Sequence, residues 1–119
     1  ELQEGSCWEG FLQAGYLKLD NLTLIVDRNG WCAMGKISEV LDVPRLRAVM
    51  RNLGWYCGEI DGHNYKAIEG ILRRYKDKPT CVIANTVKGE GVSFMRNHLL
   101  YHYKHISPEE LKKALKELS

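Results

Sequence analysis

A short apolar run that ends in a polar loop constrains this chain more than any other stretch. Residues 22–26 are aliphatic or β-branched, which is typical of a strand buried on both faces in a parallel sheet. The next residues, Asp27-Arg28-Asn29-Gly30, favour a turn. In an open α/β sheet, the loops at the carboxyl ends of the strands face the ligand. This loop is therefore either a ligand-binding loop or a plain turn that leaves a strand.

The oxygen atoms of this loop have the chemistry of a hard-cation site. The Asn29 carboxamide and the loop carbonyls are neutral oxygen donors, which suit Mg²⁺ or Ca²⁺ far better than zinc. The four cysteines are widely spaced and form no CxxC pair, so a zinc site is not indicated. We expect Cys7, Cys32, Cys57 and Cys81 to be buried, reduced thiols, and the three tryptophans to be packing residues.

Helical and strand patterns alternate along the rest of the chain. The predicted helices cover residues 5–19, 36–53, 65–75 and 107–118. Ser6 is the expected N-cap of the first helix, and the capping box Ser107-x-x-Glu110 opens the last. The second helix should have two parts, of which the second opens at Asp42 and Pro44 and closes at Gly54. Two further strands are predicted at residues 55–60 and 80–86. This order predicts an α/β fold, a partial three-layer sandwich of about three parallel strands flanked by helices, in one domain over residues 1–119.

Composition excludes several classes of function. The net charge is only +2 and the basic residues are spread out, with the tightest cluster at Arg73-Arg74-Tyr75-Lys76, so nucleic acid is not an expected partner. No apolar segment approaches the length needed to span a membrane, and the first residues, ELQEGS, are too acidic for a signal peptide. We therefore predict a cytoplasmic protein.

Three loops follow the predicted strands and should meet at one edge of the sheet. They cover residues 27–31, 61–64 and 88–91. The third, Lys88-Gly89-Glu90-Gly91, could bring its backbone close to an anion, although a plain loop fits it equally well. His98, His102 and His105 follow in an irregular stretch, where histidines are usually surface or core residues.

Six segments in order give the chain a specific resemblance to a known family. They are residues 1–9, Asp27-Arg28-Asn29-Gly30-Trp31, Asp61-Gly62-His63, Lys78-Pro79-Thr80, residues 86–95 and Tyr101-His102. The chain resembles the second half of the diphosphate-binding domain of transketolase, most closely the amino-terminal subunit of split bacterial and archaeal transketolases. The resemblance implies half of a thiamine diphosphate-binding fold.

The resemblance also implies a cofactor site. Thiamine diphosphate would be held through Mg²⁺ (or Ca²⁺), with the Asn29 side chain and the Trp31 backbone carbonyl as metal ligands. Lys88 matches a family lysine near the cofactor. His102 matches a histidine that contacts the diphosphate and substrate region, and it is the one candidate catalytic residue. Glu4 and Gly5 are likewise assigned to the cofactor site, and Glu4 and Glu9 match glutamates proposed to link paired active sites.

The implied reaction is the reversible transfer of a two-carbon ketol unit between sugar phosphates. The implied partner is a pyrimidine-binding domain or a complementary transketolase subunit. The alternatives are a piece of another thiamine diphosphate enzyme, such as deoxyxylulose phosphate synthase, and a non-catalytic, self-associating remnant. The Ser93-Phe94-Met95 run favours transketolase over the synthase.

The sequence departs from the family pattern in several places. It begins just after the place where the family's G-D-G motif, with its metal-binding aspartate, would stand. The family's W-H-G segment has become Tyr101-His102-Tyr103, and His98 could compete with His102 for its role. The first strand should also have an exposed edge and exposed apolar surface, so we expect a homo-oligomer.

We predict that the 119-residue chain alone binds thiamine diphosphate weakly or not at all and has no turnover, because the metal would lack its charged protein ligand. Isothermal titration with thiamine diphosphate and Mg²⁺ measures this directly. Micromolar binding by the isolated chain would contradict the prediction.

Overall fold

The computed structural model describes residues 1–74 and 77–119, which divide into two compact units. The first unit comprises Glu1–Arg28 and Val43–Asn85, and the second comprises Asn29–Asp42 and Thr86–Ser119. The predicted helix end at residue 75 lies outside the described residues. The assignment of the whole chain to a single domain stays a prediction.

The elements follow one another in the order helix, strand, hairpin, helix, helix, strand, helix, strand, helix. They are α1 (Gly5–Tyr16), β1 (Thr23–Arg28), β2 (Trp31–Cys32), β3 (Gly35–Lys36), α2 (Ile37–Val40), α3 (Leu46–Asn52), β4 (Tyr56–Asp61), α4 (Tyr65–Leu72), β5 (Thr80–Asn85), a 3-10 turn (Leu99–His102) and α5 (Pro108–Glu117).

The first unit is built on a parallel sheet in the order β1-β5-β4. β5 is the central strand, and its residues 80–84 are all buried. The register aligns Arg28, Asn85 and Asp61, so the three strands end at the same level. The predicted α/β fold with three parallel strands and flanking helices is confirmed.

β1 differs from its prediction. It is an edge strand with an alternating pattern, in which Leu24 and Val26 are half-buried and Ile25 is 57% exposed. The expectation of burial on both faces is therefore wrong for this strand, whereas the expected exposed edge is confirmed. The strand also continues through Asp27 and Arg28, because both pair with β5. The polar turn accordingly begins only at Asn29.

The core of the first unit joins α1, α3 and the sheet. Its buried residues are Ala14, Leu46, Met50, Trp55, Cys57, Cys81 and Ile83. The indole of Trp55 donates a hydrogen bond to the Phe11 carbonyl at 2.8 Å, and its ring meets the Phe11 ring edge to face at 6.0 Å. The Trp55 side chain therefore ties α1 to the start of β4 through both polar and apolar contacts.

Several helix boundaries differ from the predictions. α1 begins at Gly5 with Glu4 as its N-cap, so Ser6 lies inside the helix and does not cap it. Residues 31–36 form a hairpin that was not predicted, and the helix expected from residue 36 begins directly after it at Ile37. α3 begins at Leu46 after Arg45, not at Pro44. Gly54 ends α3 as predicted: its φ is +89°, and the next amide, of Trp55, bonds back to the Met50 carbonyl at 3.1 Å.

The second unit contains the hairpin, α2, the 3-10 turn and α5. The predicted capping box of α5 is confirmed: the Ser107 hydroxyl accepts from the Glu110 amide at 3.2 Å, and the Glu110 carboxylate accepts from the Ser107 amide at 2.8 Å. The two-residue strands of the hairpin were not predicted, because strands this short carry no hydrophobic period.

The cysteines are all free thiols, and only two are buried. Cys57 and Cys81 are register partners on β4 and β5 and have no solvent exposure, whereas Cys7 and Cys32 are half-buried. The expectation of burial is therefore wrong for Cys7 and Cys32. The hydrogen bond with Cys57 and the burial of the site raise the pKa of Cys81, so this thiol stays protonated at neutral pH.

Gly15 and Gly10 provide a matched test of the packing of α1. A Cβ at Gly15 would overlap the Leu53 carbonyl oxygen, whereas a Cβ at Gly10 would meet nothing within 4 Å. We expect Gly15→Ala to lower the free energy of unfolding by about 1–3 kcal/mol, since backbone must move. Gly10→Ala should raise it by about 0.5–1 kcal/mol through helix propensity. Urea denaturation measures both, and equal effects would contradict the close packing.

Candidate functional site

The hairpin of the second unit presents two oxygen atoms along one edge. The Ile37 amide donates to the Gly30 carbonyl at 3.0 Å. Because hydrogen-bonded and non-hydrogen-bonded pairs alternate along an antiparallel hairpin, the next pair, Trp31 and Lys36, has no hydrogen bonds between its two residues. In such a pair the N–H and C=O groups point away from the partner strand. The Trp31 amide donates to the Asn29 Oδ1 at 2.9 Å, so the side-chain oxygen of Asn29 and the carbonyl oxygen of Trp31 face the same edge.

This pair of oxygens fits a hard divalent cation. The Asn29 amide oxygen, which accepts from the Trp31 amide, is a neutral oxygen donor of the kind that a hard cation binds. Both residues are half-buried and neither is sealed in a core. Among the described residues, His, Cys, Asp and Glu form no group of three or more that could hold a metal ion. Neutral oxygens without such a cluster are consistent with Mg²⁺ or Ca²⁺ bound mainly by a ligand's own oxygens.

Lys88 and His102 lie in contact in the same unit. The Lys88 Nζ is 3.3 Å from the His102 Nδ1. An ammonium group only donates, so Nδ1 is the acceptor and the neutral ring carries its proton on Nε2. His102 is exposed and Lys88 is half-buried, so the Nε2–H group and the remaining ammonium protons are available to an anion.

The backbone around Lys88 requires glycine at the next position. The Lys88 carbonyl accepts from the Asn97 amide at 2.8 Å, which closes a tight loop. Gly89 has a φ of +70°, and a Cβ there would lie 2.5 Å from the Met95 carbonyl oxygen. The glycine-rich segment therefore serves the turn itself, and it fixes where the Lys88 side chain begins.

The hairpin and the histidine segment are neighbours within this unit. β2 contacts the 3-10 turn that carries His102. His98 instead places its ring 5.4 Å from the Tyr101 ring, edge to face, while the hydrogen bond to Lys88 is made by His102. The structure thus brings Asn29, Trp31, Lys88 and His102 into one compact unit.

The remaining candidates belong to the first unit. Glu4 precedes α1 and makes no side-chain cap, and Gly5 is the first residue of the helix, with nothing within 4 Å of an added Cβ. Glu9 is exposed on α1. In the loop after β4, the Asp61 carboxylate accepts from the His63 amide at 2.9 Å, and the Asn64 side chain caps α4 by accepting from the Ala67 amide.

A network around Glu110 was missed by the sequence analysis. The carboxylate of Glu110 accepts from the Tyr101 hydroxyl, the Lys104 ammonium and the Ser107 amide, each at 2.8 Å. The Ser-x-x-Glu pattern identifies the bond to Ser107. No sequence pattern signals the other two, because they depend on how residues 101–104 fold back onto α5.

Comparison with known proteins identifies the family. The family described as "Transketolase, thiamine diphosphate binding domain" matches residues 1–119, which is the whole chain.

The chain belongs to this family.

Similar proteins include split and single-chain transketolases. The 6-deoxy-6-sulfo-D-fructose transketolase subunit SqwG of Clostridium sp. is 34% identical over 99% of this chain and 44% of its own length. An apulose-4-phosphate transketolase subunit of Actinobacillus succinogenes is 36% identical over 99% and 44%. The crystal structure of transketolase from Campylobacter jejuni superposes with a TM-score of 0.92 at 28% identity, over 98% of this chain and 19% of that one.

The chain therefore spans less than half the length of these transketolase subunits. The family match identifies a thiamine diphosphate-binding domain, and the similar transketolase subunit and the superposed crystal structure agree with that family and its fold. No helix among residues 1–74 and 77–119 has the length and apolar character needed to cross a membrane.

The Glu110 network predicts a pH dependence for the second unit of this transketolase-family chain. The hydrogen bonds from Lys104, the Ser107 amide and Tyr101 lower the pKa of Glu110 to about 2 from its ordinary value of 4.5. A lowered pKa in the folded state contributes stability above pH 4.5 that is lost as the pH falls toward 2. Glu117, whose pKa is lowered by hydrogen bonds from Ser93, acts in the same direction.

We expect thermal unfolding of the wild type to lose stability between pH 4.5 and pH 2, and Glu110→Gln to lose less over the same range because the titrating group is gone. Carboxyl ¹³C NMR would follow Glu110 itself. An ordinary titration midpoint for this carboxyl group would contradict the network.

Proposed function

We propose that this chain forms part of the thiamine diphosphate site of a split-type transketolase, an enzyme that transfers a two-carbon ketol unit between sugar phosphates with Mg²⁺ as cofactor metal. The observation that carries the proposal is the shared direction of the Asn29 Oδ1 and the Trp31 carbonyl, in a chain matched throughout by the family. Both are neutral oxygen donors, which a diphosphate-bound Mg²⁺ can accept as ligands beside a carboxylate and the phosphate oxygens.

In this proposal Asn29 and Trp31 hold the metal, while Lys88 and His102 hold the anionic end of the cofactor. Thiamine diphosphate supplies the electron sink for carbon–carbon bond cleavage when it is bound. Lys88 contributes positive charge near the diphosphate oxygens, and the Nε2–H of His102 donates a hydrogen bond. Because Lys88 occupies Nδ1, His102 keeps a fixed tautomer with its one N–H donor on Nε2.

Glu4, Gly5 and Glu9 have a supporting role in the proposal. Gly5 has open space beside its backbone, which would allow close approach of the cofactor. Glu4 and Glu9 are exposed carboxylates at the start of α1, as communication between paired active sites would require.

The proposal includes a second subunit. Two of the relatives are named as transketolase subunits, and the chain covers 44% of each. A complementary subunit would supply the pyrimidine-binding domain, and self-association would cover the apolar edge at β1, where Ile25 is exposed. The relatives are named as transketolases, which favours ketol transfer over the chemistry of deoxyxylulose phosphate synthase.

The proposed metal ligands can be tested by two substitutions, because Asn29 would bind the metal through its side chain and Trp31 only through its backbone carbonyl. In the chain co-expressed with a segment that supplies the family's G-D-G motif and with its complementary subunit, we expect Asn29→Ala to lower the Mg²⁺-dependent affinity for thiamine diphosphate by about 10–100-fold, since one protein ligand of the metal is lost. Trp31→Phe should retain most of the affinity, because it leaves the backbone carbonyl in place. Isothermal titration at fixed Mg²⁺ measures both.

Asn52→Ala is the matched control, since Asn52 is an exposed asparagine on α3. It should bind the cofactor as the wild type does. An Asn29→Ala variant with unchanged affinity would remove the metal site from the proposal, and the absence of ketol transfer in the wild-type complex would overturn the proposed reaction.

A further inference from the structure

We propose that Glu110 is a positioning residue that holds His102 beside Lys88. The purpose that we give to the Lys88–His102 contact, which is to bind a diphosphate, rests on the proposed function. It concerns a residue outside the six segments that carry the family resemblance.

The carboxylate of Glu110 binds the chain on both sides of His102. Its Oε1 accepts from the Tyr101 hydroxyl and from the Lys104 ammonium, each at 2.8 Å. Tyr101 directly precedes His102, and Lys104 lies two residues beyond it. A single group therefore restrains the two ends of the short segment that carries the imidazole.

Glu110 is itself held by the first turn of α5. Its Oε2 accepts from the Ser107 amide at 2.8 Å, and its own amide donates to the Ser107 hydroxyl at 3.2 Å. Because the carboxylate is ionised and lies at a helix N-terminus, the bonds that it accepts are charge-assisted. The helix is thus a fixed base from which Glu110 reaches the His102 segment.

The other restraints on this segment act on its backbone and on the Tyr101 ring. The Tyr101 amide donates to the His98 carbonyl at 3.3 Å, the Tyr103 amide to the Leu100 carbonyl at 3.3 Å, and the Lys104 amide to the same Leu100 carbonyl at 2.8 Å. The Tyr101 ring meets Phe94 at 5.6 Å and lies under the Lys104 ammonium at 5.0 Å. Loss of the Glu110 bonds would free the Tyr101 hydroxyl and the Lys104 ammonium, and we expect the His102 side chain between them to lose its fixed position.

The positioning role can be separated from helix capping by two complementary substitutions. Glu110→Gln keeps a side chain that can reach back to the Ser107 amide, as glutamine does in capping boxes, but it loses the charge that binds Tyr101 and Lys104. Ser107→Ala weakens the cap and leaves the Glu110 carboxylate in place for both. If Glu110 only caps the helix, Ser107→Ala should disturb the Lys88–His102 contact more than Glu110→Gln does. If Glu110 positions His102, Glu110→Gln should disturb that contact more.

The readout is the imidazole Hε1 signal of His102 in ¹H–¹³C NMR spectra of the cofactor-free protein, assigned with His102→Gln. Lys88→Met should displace this signal in the wild type and in Ser107→Ala, because the Lys88–His102 contact is present in both. It should have little effect in Glu110→Gln and in Tyr101→Phe. Thermal unfolding at neutral pH should show that Ser107→Ala and Glu110→Gln are both folded at the temperature of the spectra.

Two results would overturn the proposal. One is that Lys88→Met displaces the His102 signal as much in the Glu110→Gln background as in the wild type. The other is that Lys88→Met does not displace this signal in the wild type. The affinity of the wild-type complex for thiamine diphosphate is a separate measurement, and Glu110→Gln should lower it on the order of tenfold, as loss of a group that orients a ligand commonly does. If the wild type binds no cofactor, the proposed function fails, while the spectra still decide the role of Glu110.

Discussion

The parallel pairing of β5 with both β1 and β4 is the constraint on which the first unit depends. β5 is buried along residues 80–84, and its register places Arg28, Asn85 and Asp61 at one level. Because the three strands are parallel, all three following loops leave from the same end of the sheet. The salt bridge from Arg28 to Glu59 at 3.5 Å and the bond from Asn85 to Glu59 at 2.9 Å join the three strands near this end.

Local hydrogen bonds rather than buried charge organise the candidate site in the second unit. Asn29 accepts from Trp31 two residues on, Lys88 contacts His102, and Glu110 binds the residues around His102. The groups are exposed or half-buried, so they are solvated in the free chain. In the proposed site, the two oxygens would bind the metal and the two cationic or N–H groups would bind the diphosphate.

The sequence predicted elements best where a pattern was long or carried its own cap. The capping box of α5, the Gly54 end of α3 and the three parallel strands agree with the structure. Prediction failed where a local signal was ambiguous or absent: Ser6 suits an N-cap, but Glu4 takes that position, and the hairpin at residues 31–36 is too short to show a period. β1 reads as a strand buried on both faces, yet its place at the edge exposes Ile25.

The sequence by itself determined the family, the order of helices and strands and the oxygen-donor chemistry of Asn29, since these depend on residue types and their order. Only the tertiary structure decided which strand is central, which histidine contacts Lys88 and what Glu110 binds. The physical reason is that none of these contacts is set by a local sequence period: the strand pairs join residues distant in sequence, and the Lys88 and Glu110 contacts depend on how an irregular segment folds back.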